Sequence, residues 1–97
     1  MNSFFDSLGE RFASAAARRG VSIEAPELDS VVAQELLELA RVAAHTQERR
    51  FAPLASFMAG VAAERLRAAG GPSSPEALAE LLREVRAEVE AGSTATD

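Results

Sequence analysis

The only histidine of the chain, His45, lies one helical turn from each of two arginines, Arg41 and Arg49. Side chains four residues apart lie on the same face of a helix, so the spacing predicts one surface with an imidazole and two guanidinium groups. Arginine binds carboxylates and phosphates through paired hydrogen bonds, and histidine can exchange a proton near neutral pH. One hypothesis is therefore a small anion-binding or nucleotide-binding site formed by Arg41, His45 and Arg49.

The same residues also have a structural interpretation. His45 and Arg49 fall near the end of a predicted helix, where such side chains can cap the last carbonyl groups. Glu38 and Glu48 lie on the same side as the arginines and can form ion pairs with them. On this interpretation the cluster supports the helix and binds nothing.

Residue types that serve common catalytic and metal sites are missing from the sequence. There is no cysteine, only one histidine, and every basic residue is an arginine. Thiolate ligands, a cysteine nucleophile and lysine Schiff-base chemistry are therefore excluded. A di-iron site in a helical bundle uses Glu-x-x-His motifs, whereas His45 precedes Glu48 here. We predict that the protein is not an enzyme and that it needs no metal and no cofactor.

A third hypothesis concerns Ser30. The segment from Asp29 to Leu36 resembles the start of the second helix in acyl and peptidyl carrier proteins, where a serine after an aspartate carries phosphopantetheine. The resemblance implies an acyl-carrier-like protein modified at Ser30. Alternatively, Asp29 or Ser30 is the N-cap of a helix, a position that favours both residue types.

Apolar residues recur at three- and four-residue spacing, which predicts helices at about 3–19, 28–49, 53–69 and 75–91. Gly20 and Gly92 are predicted to end helices, and Ser74 is predicted to cap the last helix before Pro75. Four amphipathic helices with short connections predict an all-α, antiparallel four-helix bundle. We expect one domain over residues 1–91 and a disordered tail over residues 92–97.

The third predicted helix has two faces that differ in size but not in polarity, because no charge occurs from Phe51 to Ala63. The pattern predicts a helix that is buried nearly all round. Its small residues would allow close approach of a neighbouring helix, or of the same helix in a second copy, so we predict a homodimer. Arg65 is in line with the large residues and should reach out of the core or pair with an acid on helix 1 or 2. The large-residue face is Leu54, Phe57, Met58, Val61 and Ala62; the small-residue face is Ala55, Ser56, Ala59, Gly60 and Ala63.

The composition limits the classes of partner. The formal net charge is −5 and no basic stripe is present, which argues against binding to a phosphate backbone. The uncharged run from Phe51 to Ala63 is too short for a membrane span, which takes about 20 residues. The first residues lack the basic region of a signal peptide. We therefore expect a cytoplasmic protein that binds neither nucleic acid nor membrane.

Residues 36–65 resemble a small helical domain of unknown function from high-GC Gram-positive bacteria. That domain occurs alone or fused to proteins similar to the molybdenum-cofactor guanylyltransferase. The resemblance implies an accessory role and transfers no catalytic residue. We therefore predict a non-enzymatic module that binds a protein partner, with a nucleotidyltransferase of the molybdenum-cofactor type as the candidate. The shared residues are Leu37, Leu39-Ala40-Arg41, Ala44-His45, Glu48-Arg49, Ala52-Pro53-Leu54, Phe57 and Gly60.

Overall fold

Four α-helices account for most of the chain, in a computed structural model that describes residues 2–95 and the side chains of residues 2–92. The all-α bundle predicted from the sequence is confirmed, and the described residues contain no strand. The chain divides between Ser30 and Val31 into two compact units. The helices are α1 (Ser3–Arg18), α2 (Ser30–Thr46), α3 (Phe51–Ala68) and α4 (Pro75–Ala95).

The first unit consists of α1 and the segment that follows it. The Asn2 side chain accepts hydrogen bonds from the amides of Phe4 and Phe5, at 3.0 and 3.2 Å, and so caps the start of α1. The helix ends at Arg18, and Gly20, the predicted stop, lies in the turn that follows with a φ of 80°, which suits a residue without a side chain. The amides of Gly20 and Val21 bond back to carbonyl groups of the last turn.

Gly9 is the position where the chain after α1 returns to the helix. It is buried, and a Cβ atom placed there would collide with the carbonyl group of Pro26. The glycine therefore lets residues near Pro26 lie directly against the backbone of α1. One side of α1 remains open, since Phe4 and Phe12 are more than half exposed.

The second unit has α2 at its centre, packed against α3 and α4. One residue from each helix forms the buried cluster, namely Leu39, Ala59 and Leu82. Val42 and Ala79 are also buried. Burial of these apolar side chains is the main force that holds the three helices together. The partly buried residues that pack against the cluster are Val32, Leu36 and Ala55.

The ends of three helices differ from the prediction. The second helix ends at Thr46 and not at Arg49, and the Thr46 hydroxyl donates to the carbonyl of Val42 at 2.8 Å. The third begins at Phe51, so Pro53 is its third residue. A proline fits there because the amides of the first turn have no acceptor within the helix, and the missing N–H of Pro53 costs no hydrogen bond. The fourth passes Gly92 and reaches Ala95, while the last two residues of the predicted tail lie outside the described residues.

The orientation of α3 is the main correction to the sequence analysis. Its small-residue face lies inside the chain, because Ala59 belongs to the core and Ala55 packs beside it. Its large-residue face is open, with Leu54, Phe57 and Met58 exposed to 60, 72 and 71%. A helix buried nearly all round was therefore a wrong prediction. Ala55 and Ala59 therefore pack within the chain and are not open to the homodimer contact that was predicted for the small-residue face. The homodimer itself stays a prediction.

Two turns complete the second unit. The Ser74 hydroxyl accepts a hydrogen bond from the amide of Ala77 at 3.2 Å, which confirms it as the cap of α4. The third helix ends at Ala68, and the amides of Gly70 and Gly71 after it bond to carbonyls of its last turn. Both turns therefore satisfy backbone groups that helix ends leave free.

Candidate functional site

Of the three residues of the predicted anion site, Arg41 and His45 lie within α2 and Arg49 lies outside it. Arg41 donates from Nε to Glu38 Oε2 at 3.0 Å, so its guanidinium already has an anionic partner. His45 is exposed in the last turn of α2. Arg49 follows the end of α2 and does not continue its face. Spacing of four residues brings side chains together only inside a helix, and this helix ends one residue after His45.

The structural interpretation of the same cluster is correct only in part. The ion pair between Glu38 and Arg41 is present, and Glu48 pairs with Arg50 at 3.0 Å. Arg50 also lies 5.9 Å from the ring centre of Phe51. The carbonyl groups in the last turn of α2 accept hydrogen bonds from the Thr46 hydroxyl and the Gln47 amide. The structural interpretation gave this role to His45 and Arg49, and that assignment was wrong.

Ser30 occupies the start of a helix, as both of its interpretations require. It is the first residue of α2, it is exposed, and Asp29 precedes it. A hydroxyl in this place is accessible to solvent and close to the positive end of the helix dipole. Phosphopantetheine attachment at Ser30 stays a prediction.

An open apolar groove lies between α3 and α4. Most of its lining comes from the large-residue face of α3, and Leu81 contributes from α4. Three large side chains at 60–72% exposure along one helix form a continuous patch, whereas scattered exposed apolar residues are ordinary. Such a patch is typical of a surface that another molecule covers. The lining residues are Phe57, Met58, Val61, Ala62, Arg65, Leu66 and Leu81.

Arg65 gives this groove its one charged side chain. The residue is exposed, which agrees with the prediction that it reaches out of the core, and it lines the groove together with Met58 and Val61. The other predicted alternative, a pair with an acid on helix 1 or 2, is not formed: within the described part of the chain, Arg65 has no ion pair. The groove therefore offers apolar surface and one guanidinium group.

A metal site and a membrane-spanning helix find no support among residues 2–95. No three side chains of His, Cys, Asp and Glu in this range come together as metal ligands. No helix in the same range is both long enough and apolar enough to cross a membrane.

A family model described as a domain of unknown function, DUF6457, matches residues 5–97. The chain belongs to the DUF6457 family. The match includes most of α1 and the whole of α4, as well as residues 36–65, on which the resemblance was based. No curated protein and no solved structure matches the chain.

In this DUF6457 domain, sequence reasoning missed a group of three charged side chains. Glu35 of α2 accepts a hydrogen bond from Arg83 of α4 at 3.0 Å and lies 3.8 Å from Arg86. The hydrogen bond to Glu35 is the first cause of the raised pKa of Arg83. The Glu35 side chain is only 13% exposed, against 22% for Arg86 and 45% for Arg83, so the group joins α2 to α4 through a glutamate that is largely buried.

A weak signal for this group was present in the sequence. Arg83 and Arg86 are three residues apart, so they lie on one side of α4 in this DUF6457 domain. Glutamates also recur along α4. Two glutamates in fact pair with these arginines along the helix: Glu80 bonds to Arg83 at 2.8 Å and Glu90 to Arg86 at 3.1 Å.

Proposed function

We propose that this chain is a non-enzymatic helical module whose large-residue face on α3 binds another protein. The observation that supports the proposal is the exposure of Leu54, Phe57 and Met58, at 60–72%. Covering a large apolar side chain contributes about 1.5–3 kcal/mol when burial is complete. Three such side chains on one helix provide the apolar centre that protein interfaces have.

We propose a nucleotidyltransferase of the molybdenum-cofactor type as the partner. The support is the resemblance of residues 36–65 to a high-GC Gram-positive domain that occurs fused to such proteins. Fusion keeps two domains at high local concentration, and a separate module needs an interface of its own to stay bound. Phe57 and Leu54 belong both to the resembling segment and to the exposed face, so they are the residues that we assign to that interface.

Calorimetric titration of this chain against a purified nucleotidyltransferase of that type tests both parts of the proposal. Phe57→Asp should weaken binding by at least about tenfold, because it places a charge in the apolar centre of the interface. Ala87→Asp is the matched control: it introduces the same charge at another exposed helical position, outside the groove. Both variants should keep the melting temperature of the parent, since both sites are exposed.

The outcomes separate the surface from the partner. If the parent chain does not bind the nucleotidyltransferase, the partner is wrong. If it binds and Phe57→Asp binds equally well, the surface is wrong. A second copy of the chain is the competing occupant, and the homodimer predicted from the sequence would then use this face in place of the small-residue face.

A further inference from the structure

The arginines of the second unit differ in what they contact. Five of them form ion pairs with glutamates at 2.5–3.8 Å, whereas Arg49 and Arg65 form none among the described residues. Acids are not scarce, because the chain has 15 of them against 10 basic residues. Of the two, only Arg65 lines the groove. The paired arginines are Arg41, Arg50, Arg67, Arg83 and Arg86.

Arg65, unpaired within the described part of the chain, lies in the apolar groove. Its nearest charged neighbour in sequence, Glu64, already accepts hydrogen bonds from Arg67, with Nε 3.0 Å from Oε2. Arg65 itself lies among apolar groups that line the groove between α3 and α4. An occupant that covered the groove would take the guanidinium out of water, and a charge removed from water needs an opposite charge beside it.

The dimensions of the groove fit a helix. Along α3 the lining extends from Phe57 to Leu66, a rise of about 13.5 Å, or roughly two and a half turns. The groove has helices on both sides, α3 and α4, and a third helix commonly packs into such a space with its apolar face inward. Its apolar residues would recur at three- and four-residue spacing opposite Phe57, Met58 and Val61.

We propose that the segment bound in this groove is an amphipathic helix with a carboxylate that pairs with Arg65. The inference rests on the proposed function, and it adds the chemistry of the partner. The apolar stripe of the helix supplies most of the affinity. The carboxylate fixes the direction and register of the helix, because only one end of the groove carries a positive charge.

The test is a selection from a displayed library of helical peptides with a fixed apolar stripe and random residues elsewhere. Selection against the whole chain should enrich Asp or Glu at one stripe-flanking position, at the end that reaches Arg65. Selection against Arg65→Glu should enrich Lys or Arg at that position. The control bait is Arg49→Glu, which makes the same charge change at an exposed arginine outside the groove and should recover the acidic peptides.

Affinities of one selected peptide complete the test. We expect the acidic peptide to bind Arg65→Glu at least about tenfold more weakly than the parent chain, and its Lys counterpart to recover most of this loss. Peptides that bind through Phe57 without a preferred charge would overturn the inference and leave the proposed function standing. Failure to select any helix would overturn the inference alone, whereas binding that Phe57→Asp does not change would count against the proposed surface as well.

Discussion

The carboxylate of Glu35 lies between two arginines of α4, with one oxygen 3.0 Å from Arg83 and the other 3.8 Å from Arg86. We predict that Glu35→Ala lowers the free energy of unfolding by about 1–3 kcal/mol, because Arg86, at 22% exposure, then loses its partner on α2. Urea denaturation followed by circular dichroism measures the change. Glu84→Ala removes an exposed carboxylate of α4 and should stay within about 0.5 kcal/mol. Equal losses for the two variants would contradict this role of Glu35.

A second prediction at the residue scale concerns Glu64. The hydrogen bond from Arg67 lowers the pKa of Glu64 from its ordinary value of 4.5. In Arg67→Gln the pKa should return toward 4.5, which carboxyl carbon NMR can follow across a pH titration. The stabilisation that a lowered pKa gives the fold is present above the unfolded-state value of 4.5 and is lost as pH falls through the folded-state value. An unchanged titration curve in the variant would show that Arg67 is not the cause.

At the scale of the helices, two glycines should respond to alanine with opposite signs. Gly60 lies inside α3, and a Cβ atom at this position would meet only open space, so Gly60→Ala should stabilise the protein by about 0.5–1 kcal/mol through helix propensity.

Gly9 lies inside α1 against the carbonyl of Pro26. Gly9→Ala should therefore loosen residues 21–29 from α1. Urea denaturation measures the first effect, and faster amide hydrogen exchange in residues 21–29 the second. Slower exchange there would contradict the packing at Gly9.

The helices also show how far the sequence could be interpreted. Stripes of apolar residues and the signals at Gly20 and Ser74 were sufficient to place four helices. The inward face of α3 was not predictable from polarity, since neither face carries a charge over residues 51–63; close packing at Ala59 decided it. The early end of α2 separated Arg49 from the face that carries the histidine. The charged residue that lines the groove, Arg65, was recognisable because it continues the line of large residues on α3.

For the whole molecule, the open face of α3 has a consequence for self-association. Two copies that place their large-residue faces together would cover Leu54, Phe57 and Met58 without a partner. We expect this association to be weak, because the Arg65 side chains would then have no carboxylate opposite them. Sedimentation equilibrium should show a mass of 10.2 kDa at low concentration and a rise toward twice that value as concentration increases.

The same measurement on variants identifies the contact. Phe57→Asp should hold the mass at 10.2 kDa at every concentration, and Ala87→Asp should behave as the parent chain. Addition of a selected acidic helix should also dissociate the copies, since both occupants need the same face. A dimer that survives Phe57→Asp would place the contact elsewhere, and the exposed side of α1 with Phe4 and Phe12 would then be the surface to change next. If the parent chain remains a monomer at every concentration, the predicted self-association is wrong, and the large-residue face would bind only a different protein.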